Sequence, residues 1–371
     1  MKVLYSCLSK SWGGMEMVTI NTIKQLLARN INVELICIAE SRIHIEANNT
    51  GAVIYPIKAH GYFFPISTIR TASIIKNGKY DLIHTHASKD LWMLVPALKL
   101  LRSKTPLILT KHVGSFINKK DRFHNYLYNR LDYAIAISRV IKNNLLETTS
   151  LNEEKIVLHY NGVDIKVFDP QAADGLKIRN EFKIDDSDIL IGMVARFSAG
   201  KGHEEFLKAA GKLNELYDNL KFIIIGEASK GEDNYEKKIR DLADNYKLPN
   251  LIFAGFRVDI PDVLKAMDIF VFPSHSEAFG VALAEAMAME RPSVSTRSDG
   301  ILDICVDNVT GFLFEKQNPD DLVDKINKLI KDPALRSKFG KAARKRIIEN
   351  FDSEKLMDEL VVIYKDILKR N

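Results

Sequence analysis

The chain has 371 residues with 46% hydrophobic and 27% charged content, more than one core usually spans, so two domains are expected. Three cysteines, Cys7, Cys37 and Cys305, lie far apart inside apolar runs, which argues against a disulfide framework or a metal knuckle and fits a reducing cytoplasm. The net charge of +5 is unevenly spread, with 21 Lys+Arg against 12 Asp+Glu in residues 1–164 and 32 against 36 in the remainder. A basic first half can meet an anionic membrane surface or nucleic acid, or can simply be solvated. Charge is the only argument for nucleic acid, and no such partner is expected.

The opening Met1-Lys-Val-Leu-Tyr-Ser-Cys-Leu-Ser is too brief for a signal peptide's apolar core and cleavage site. No segment approaches the roughly 20 apolar residues that span a bilayer. The expectation is a cytoplasmic chain, either soluble or peripheral.

In chain order, short β-rich runs alternate with helical patterns. Strands are predicted at Val3–Leu8, Val33–Ile38, Leu82–His86, Leu107–Thr110, Tyr133–Ile137 and Ile156–His159, and helices at Thr19–Arg29, Leu91–Leu101 and Arg139–Glu147. After a polar loop, Asp164–Asp188, a second series follows, with strands Ile189–Val194, Lys221–Ile225, Leu251–Ala254, Ile269–Phe272 and Ser293–Thr296. Helices fill its gaps at His203–Tyr217, Asn234–Tyr246, Ile260–Met267 and Gly280–Met289. The tail, Asp320–Ile330, Pro333–Glu349 and Ser353–Lys369, reads as helical and is able to pack back across both halves. This rhythm specifies an α/β protein of two doubly wound, Rossmann-like parallel sheets. The predicted divisions are 1–164, 165–352 and a final helix, 353–371. Open α/β sheets bind ligands beyond the carboxyl ends of their strands, and two such domains facing each other make a cleft.

The chemistry-bearing residues fall at those ends. Arg196 follows strand Ile189–Val194, and Lys201 enters the next helix. A planar guanidinium, a point-charge ammonium and helix N-terminal amides together suit a diphosphate, although lone loop cations are more often simply solvated. Pro273-Ser-His-Ser-Glu277-Ala-Phe-Gly280-Val-Ala-Leu-Ala-Glu285 turns from strand into helix near Phe279. Glu277 lies before the first turn and Glu285 within the helix, about 9 Å along the axis from Phe279 at 1.5 Å per residue, so the two carboxylates do not form one acid/base pair. Gly280 lets a ligand approach the backbone, where first-turn N–H groups are unpartnered. Glu285, amid Ala and Leu, is costly to bury unless it accepts hydrogen bonds, and a pair of ribose hydroxyls would supply them. A capping acid and a surface Glu are the bland alternative.

Four features in order, the Gly13-Gly14-x-Glu16 turn, Asn161-Gly162-Val163-Asp164, the Arg196…Lys201-Gly202 pair and the Glu277–Glu285 stretch, together resemble the family 4 retaining glycosyltransferases of GT-B fold, of the bacterial cell-surface polysaccharide or lipopolysaccharide type. The resemblance runs through nearly the whole chain. It implies metal-independent, cofactor-free transfer of a sugar from a nucleotide-sugar, with a UDP-sugar favoured, to a glycan or lipid-linked acceptor with retained configuration. Arg196 and Lys201 would hold the diphosphate, Glu277 the sugar hydroxyls and Glu285 the ribose, with Ala278, Phe279, Gly280 and Val281 lining the donor along with Gly13 and Gly14. His112, at the end of Leu109-Thr-Lys-His112, matches a histidine beside the transferred sugar. Glu16, His86, Ser138 and Asn161 fall on the acceptor side, with a helix-capping role as the alternative for Ser138. The chain departs from the family at His159-Tyr160, where many members carry a proline. Asp186-Ser-Asp188 reads as a turn, not a metal site.

Lys111–Arg130 interleaves basic and aromatic residues, and Gly61-Tyr-Phe-Phe-Pro65 adds a bulky apolar loop. Both suit an anionic membrane interface at the inner face of the cytoplasmic membrane, with an amphipathic helix packed on its own domain as the alternative. A non-hydrolysing sugar-nucleotide epimerase and an inert nucleotide-sugar-binding subunit are the competing functions. A nicotinamide dehydrogenase is disfavoured because Gly13-Gly14 lacks the Gly-x-Gly-x-x-Gly spacing.

Overall fold

A computed structural model describes residues 1–58, 65–228 and 231–370. The chain divides into two compact units, the first formed by Met1–Asn161 with Glu354–Asn371 and the second by Gly162–Ser353. The first boundary falls three residues before the one drawn at 164, because Val163 already bridges to Asp352 in the second unit.

The first unit holds seven parallel strands, β1 Lys2–Cys7, β2 Asn32–Ile38, β3 Val53–Ile57, β4 Leu82–Thr85, β5 Leu107–Lys111, β6 Tyr133–Ala136 and β7 Ile156–Leu158. Their order is β3-β2-β1-β4-β5-β6-β7. Chain direction along the sheet reverses between β1 and β4, so the loops after these two strands diverge and leave room at their carboxyl ends. The second unit repeats the plan with β8 Ile189–Val194, β9 Leu220–Ile225, β10 Leu251–Gly255, β11 Ile269–Phe272, β12 Ser293–Thr296 and β13 Gly311–Phe314, in the order β10-β9-β8-β11-β12-β13. Its reversal lies between β8 and β11, the strands that precede Arg196 and Glu277.

The central strands are buried on both faces, as Val3, Leu4, Tyr5, Ile269, Phe270 and Val271 illustrate. That is why they read as continuous apolar runs rather than alternating ones. β3 and β13 were not predicted, and the loop Asp164–Asp188 contains a helix, Gly175–Glu181. Asp186-Ser-Asp188 is a turn, closed by Asp188 N–H to the Asp185 carbonyl at 3.0 Å. The last helix, Ser353–Arg370, buries Met357, Leu360, Tyr364 and Ile367 in the core of the first unit. Their spacing of three or four residues puts them on one helical face.

Candidate functional site

In the second unit, the chain leaves β8 at Val194 and presents an exposed Arg196. It then turns through Lys201, whose N–H bonds the Ser198 carbonyl at 3.2 Å. Gly202 caps the helix His203–Asn214 with φ 80°, and a Cβ there would lie 2.2 Å from the Pro273 carbonyl oxygen. Only glycine lets the loops after β8 and β11 pack backbone against backbone at this point. A second tie is the His275 N–H to the Gly200 carbonyl at 2.8 Å, and a third is His275 Nε2 to the buried Glu205 Oε1, also 2.8 Å. So held, Lys201 Nζ reaches Glu277 Oε1 at 2.6 Å, the two side chains being 26% and 16% exposed.

Beyond Glu277, Gly280 takes φ 103° and caps the helix Val281–Ala288. The first backbone bond of that helix runs from Ala284 N–H to the Gly280 carbonyl at 3.1 Å, which leaves the preceding first-turn N–H groups without intrahelical partners. Glu285 lies one turn further on. Its side chain keeps some solvent contact, but the protein packed around it pushes its carboxyl up to about 8. No group among the described residues hydrogen-bonds that carboxyl.

In the first unit, β1 leads to Gly13, in extended backbone at φ −165°, and to the helix Gly14–Ala28. A Cβ on Gly14 would meet nothing within 4 Å, so the fold does not require glycine there. Glu16 is buried in the first turn of this helix, where the helix dipole favours a carboxylate. The tips of β1 and β4 are joined by the fully buried Asp90, which accepts from Ser6 Oγ at 2.6 Å, Thr85 Oγ1 at 3.0 Å and Leu8 N–H at 3.2 Å. Burial pushes its carboxyl up to about 6.

Three buried histidines lie at the ends of β4 and β5. His86 Nδ1 is 2.9 Å from His112 Nε2. The His86 ring stacks on His84 at 4.6 Å and on Tyr5 at 5.0 Å between centroids. His84 Nδ1 meets the Tyr364 hydroxyl at 2.5 Å and its Nε2 meets Thr110 Oγ1 at 2.7 Å, while the Tyr364 and Tyr5 hydroxyls lie 2.6 Å apart. Burial drives His84 and His112 down to about 3 and His86 well below the usual imidazole range, so all three are neutral at pH 7. The neighbouring Lys111 is pushed down to about 7, first by burial and then by Lys119, and its ammonium reaches Ser88 Oγ at 3.1 Å.

Two family models match the chain: glycosyltransferase family 4 over residues 12–167 and glycosyl transferases group 1 over residues 174–346. A capsular polysaccharide biosynthesis glycosyltransferase, CapM, of Staphylococcus aureus is 30% identical over 239 residues, or 64% of this chain and 62% of that protein. That match spans just under two thirds of the relative's length. The UDP-Gal:alpha-D-GlcNAc-diphosphoundecaprenol alpha-1,3-galactosyltransferase of Escherichia coli is 27% identical over 312 residues, 81% of this chain and 79% of that one. The crystal structure of a glycosyltransferase from Rickettsia africae ESF-5 superposes with a TM-score of 0.91 at 25% identity, covering 100% of this chain and 99% of that one. The chain is a family 4 glycosyltransferase. Both matched models describe glycosyltransferases, and nothing in these matches supports the epimerase alternative.

In this glycosyltransferase Arg196, Lys201, Glu277, Gly280 and Glu285 gather at the carboxyl ends of β8 and β11, while Gly13, Gly14, Glu16, His86 and His112 gather at those of β1, β4 and β5. The helix start differs from expectation. The helix begins at Val281, two residues later, and the Phe279 ring is 2% exposed and packs edge-on against Phe351 at 5.7 Å. Ser138 is fully buried and caps the helix Arg139–Thr148 by accepting from the Ile141 N–H at 3.4 Å. Asn161 is buried and is the last residue of the first unit before the chain crosses over. At the departure from the family pattern, His159 Nε2–H donates to the Leu356 carbonyl at 2.8 Å and ties the turn to the last helix.

Asp90, the Glu205–His275 pair and Tyr364 support these sites and were not anticipated. The sequence signals none of them, because each acts through a partner remote in the chain: Glu205 and His275 are 70 residues apart, and His84 and Tyr364 are 280 apart.

The basic–aromatic stretch splits in two. The helix Arg122–Tyr128 buries Leu127 and Tyr128 on its own unit, as the packing alternative expected. Val113, Phe116, Ile117 and Phe123 remain exposed, Phe116 fully, beside Lys119, Lys120 and Arg122. Of the loop Gly61–Pro65, residues 61–64 lie outside the described residues; Pro65 opens the helix Pro65–Gly78, on which Ile66 and Ile69 are exposed. Among the described residues no helix is long and apolar enough to cross a membrane.

Proposed function

We propose that this glycosyltransferase is a retaining, metal-independent enzyme that moves a sugar from a UDP-sugar to a lipid-linked glycan acceptor in the assembly of a cell-surface polysaccharide. The observation that carries the donor assignment is the Lys201–Glu277 contact at 2.6 Å, followed on the next helix by a Glu285 carboxyl that has no partner among the described residues. Lys201 and Arg196 take the diphosphate, the first-turn amides of Val281–Ala288 add partial positive charge, Glu277 receives sugar hydroxyls, and Glu285 receives the ribose diol. Gly13 and Gly14 give backbone access at the start of their helix. His112 meets a hydroxyl of the transferred sugar. Glu16, His86 and Asn161 belong to the acceptor side.

Retention follows a front-side route. The bond from the anomeric carbon to the diphosphate breaks, the acceptor oxygen bonds that carbon on the same face, and the acceptor proton passes to the departing phosphate oxygen. Glu277, held by Lys201, binds hydroxyls and is not the nucleophile. Two fixed cations stabilise the charge that develops on the leaving group without reorganising, which is the service a divalent ion otherwise performs. The donor and acceptor classes rest on the E. coli relative, whose name specifies UDP-Gal and a diphosphoundecaprenol-linked acceptor, and the pathway class on the capsular polysaccharide relative.

Thermal unfolding with UDP-, GDP- and ADP-sugars tests the donor. A UDP-sugar at 100 times its Kd adds about 2.7 kcal/mol to the unit that binds it. Glu285→Gln, which replaces the carboxyl proposed to receive the ribose diol with an amide, is expected to lose most of that shift. A shift with GDP- or ADP-sugars alone would overturn the UDP assignment. Acceptor-dependent release of UDP separates the transferase from an inert binding subunit.

The exposed Phe116, Ile117 and Phe123 beside Lys119, Lys120 and Arg122 support peripheral attachment to an anionic membrane face on the cytoplasmic side. The protein is expected to float with phosphatidylglycerol vesicles at low salt, to dissociate as salt rises, and to bind less when Phe116 and Phe123 are both changed to Ser. Failure of the unaltered protein to bind at low salt ends the membrane assignment.

A further inference from the structure

His86 and His112 share a single hydrogen bond, and the position of its proton fixes what His112 can offer a substrate. Their ring nitrogens, Nδ1 of His86 and Nε2 of His112, lie 2.9 Å apart, and the two residues are only 3% and 6% exposed. Burial keeps both rings neutral, so each carries one proton and the contact admits two arrangements. If His112 donates from Nε2, His86 accepts at Nδ1 and must carry its own proton on Nε2. That atom is sealed from solvent and has no partner among the described residues. An N–H left there would be an orphaned buried donor, a rarer defect in proteins than an unpaired acceptor. If His86 donates from Nδ1, its Nε2 is left as a bare lone pair, and His112 must carry its proton on Nδ1.

We infer that His86 is a positioning residue which, by donating Nδ1–H to Nε2 of His112, holds His112 in its Nδ1–H tautomer. His112 then meets the sugar as a hydrogen-bond donor, and it has no free basic nitrogen with which to take a proton. The inference rests on the proposed place of His112 beside the transferred sugar. Nδ1 of His112 has no partner within the described chain and is not among the sealed polar atoms, so it is the ring nitrogen left for a ligand. The orientation of His86 is itself imposed. Its ring is stacked on Tyr5 and His84, and His84 is pinned at both nitrogens by Tyr364 and Thr110. Tyr364 of the last helix thus holds His84, one of the two rings on which His86 is stacked. The charged group beside the pair, Lys111, disfavours a second proton on His112 and is bonded to Ser88, not to His86 or His112.

The test uses the full chain labelled with 15N-histidine, whose long-range proton–nitrogen correlations at pH 7 report the tautomer of each ring. His112, assigned by its absence from a His112→Gln spectrum, is expected to be protonated on Nδ1 in the unaltered protein. Protonation on Nε2 there overturns the inference. His86→Phe keeps a stacked ring but no donor, and is expected to return His112 to a mixture of tautomers and to lower kcat about tenfold with little change in the donor KM. His86→Gln, whose amide can donate, is expected to recover part of that loss; equal loss in both variants would count against a donating role. Normal turnover in His112→Ala would remove His112 from the sugar site while leaving the tautomer result standing, so the two readings fail separately.

Discussion

Replacing Lys201 or Arg196 with alanine is expected to lower kcat by about 100-fold or more, the scale seen when one preorganised group that stabilises developing charge is removed. The two substitutions differ in what else they disturb. Lys201 is half of a contact at 2.6 Å with Glu277, so Lys201→Ala also leaves a carboxylate only 16% exposed without its cation. That carboxylate would repel a diphosphate, and donor KM should rise along with the fall in kcat. Arg196 is exposed at the tip of β8. Its loss is expected mainly in kcat, with the fold intact by thermal unfolding. Lys201→Arg keeps the charge but replaces a point ammonium with a planar fork in a site shaped by the close approach of Gly202 to Pro273, and full recovery is not expected. Turnover near normal in both alanine variants, measured with saturating donor, would remove these cations from the diphosphate site.

The parts of this protein that could be read from sequence share a physical property: their information is local. Central strands such as β1 and β11 are buried on both faces and appear as apolar runs. The two strands that were missed, β3 and β13, are edge strands. β3 is half exposed along most of its length and contains Pro56, which an edge tolerates because no ladder bond is needed from its nitrogen. β13 opens on Gly311 directly after a turn and carries only Phe312-Leu313-Phe314 as an apolar run. The residues proposed for the donor could be singled out because Arg196 and Lys201 occupy one loop, and Glu277, Gly280 and Glu285 one strand-to-helix turn. That the Phe279 ring is buried was not legible, because adjacency in such a turn does not say which side chains face out. Tyr364, Asp90 and the Glu205–His275 pair were not legible because each side chain gains its role from a residue that only folding brings near.

The first unit is expected to be acid-labile over the range in which its histidines titrate in the unfolded chain. His84 and His112 have folded values of about 3 against 6.5 in an unperturbed ring. The unfolded chain therefore binds protons that the folded one refuses, and stability declines as pH falls from about 6.5 toward 3. His86 acts in the same direction. Asp90 opposes them: its carboxyl, raised to about 6 from 3.8, is penalised in the folded state above that range, and the penalty is relieved on acidification. Lys111, held down to about 7, bears on alkaline conditions, since the folded state gives up its proton before the unfolded one does. Balancing two histidines against one aspartic acid between pH 7 and 4.5 leaves a net loss on the order of 3 kcal/mol. Both tryptophans of the chain, Trp12 and Trp92, belong to the first unit, so their fluorescence follows its unfolding alone. Urea midpoints read in this way should fall clearly between pH 7 and 4.5, and a His112→Gln chain should lose part of that dependence. An unchanged midpoint at pH 4.5 would mean that these rings accept protons in the folded state, and the neutral histidine cluster would have to be abandoned.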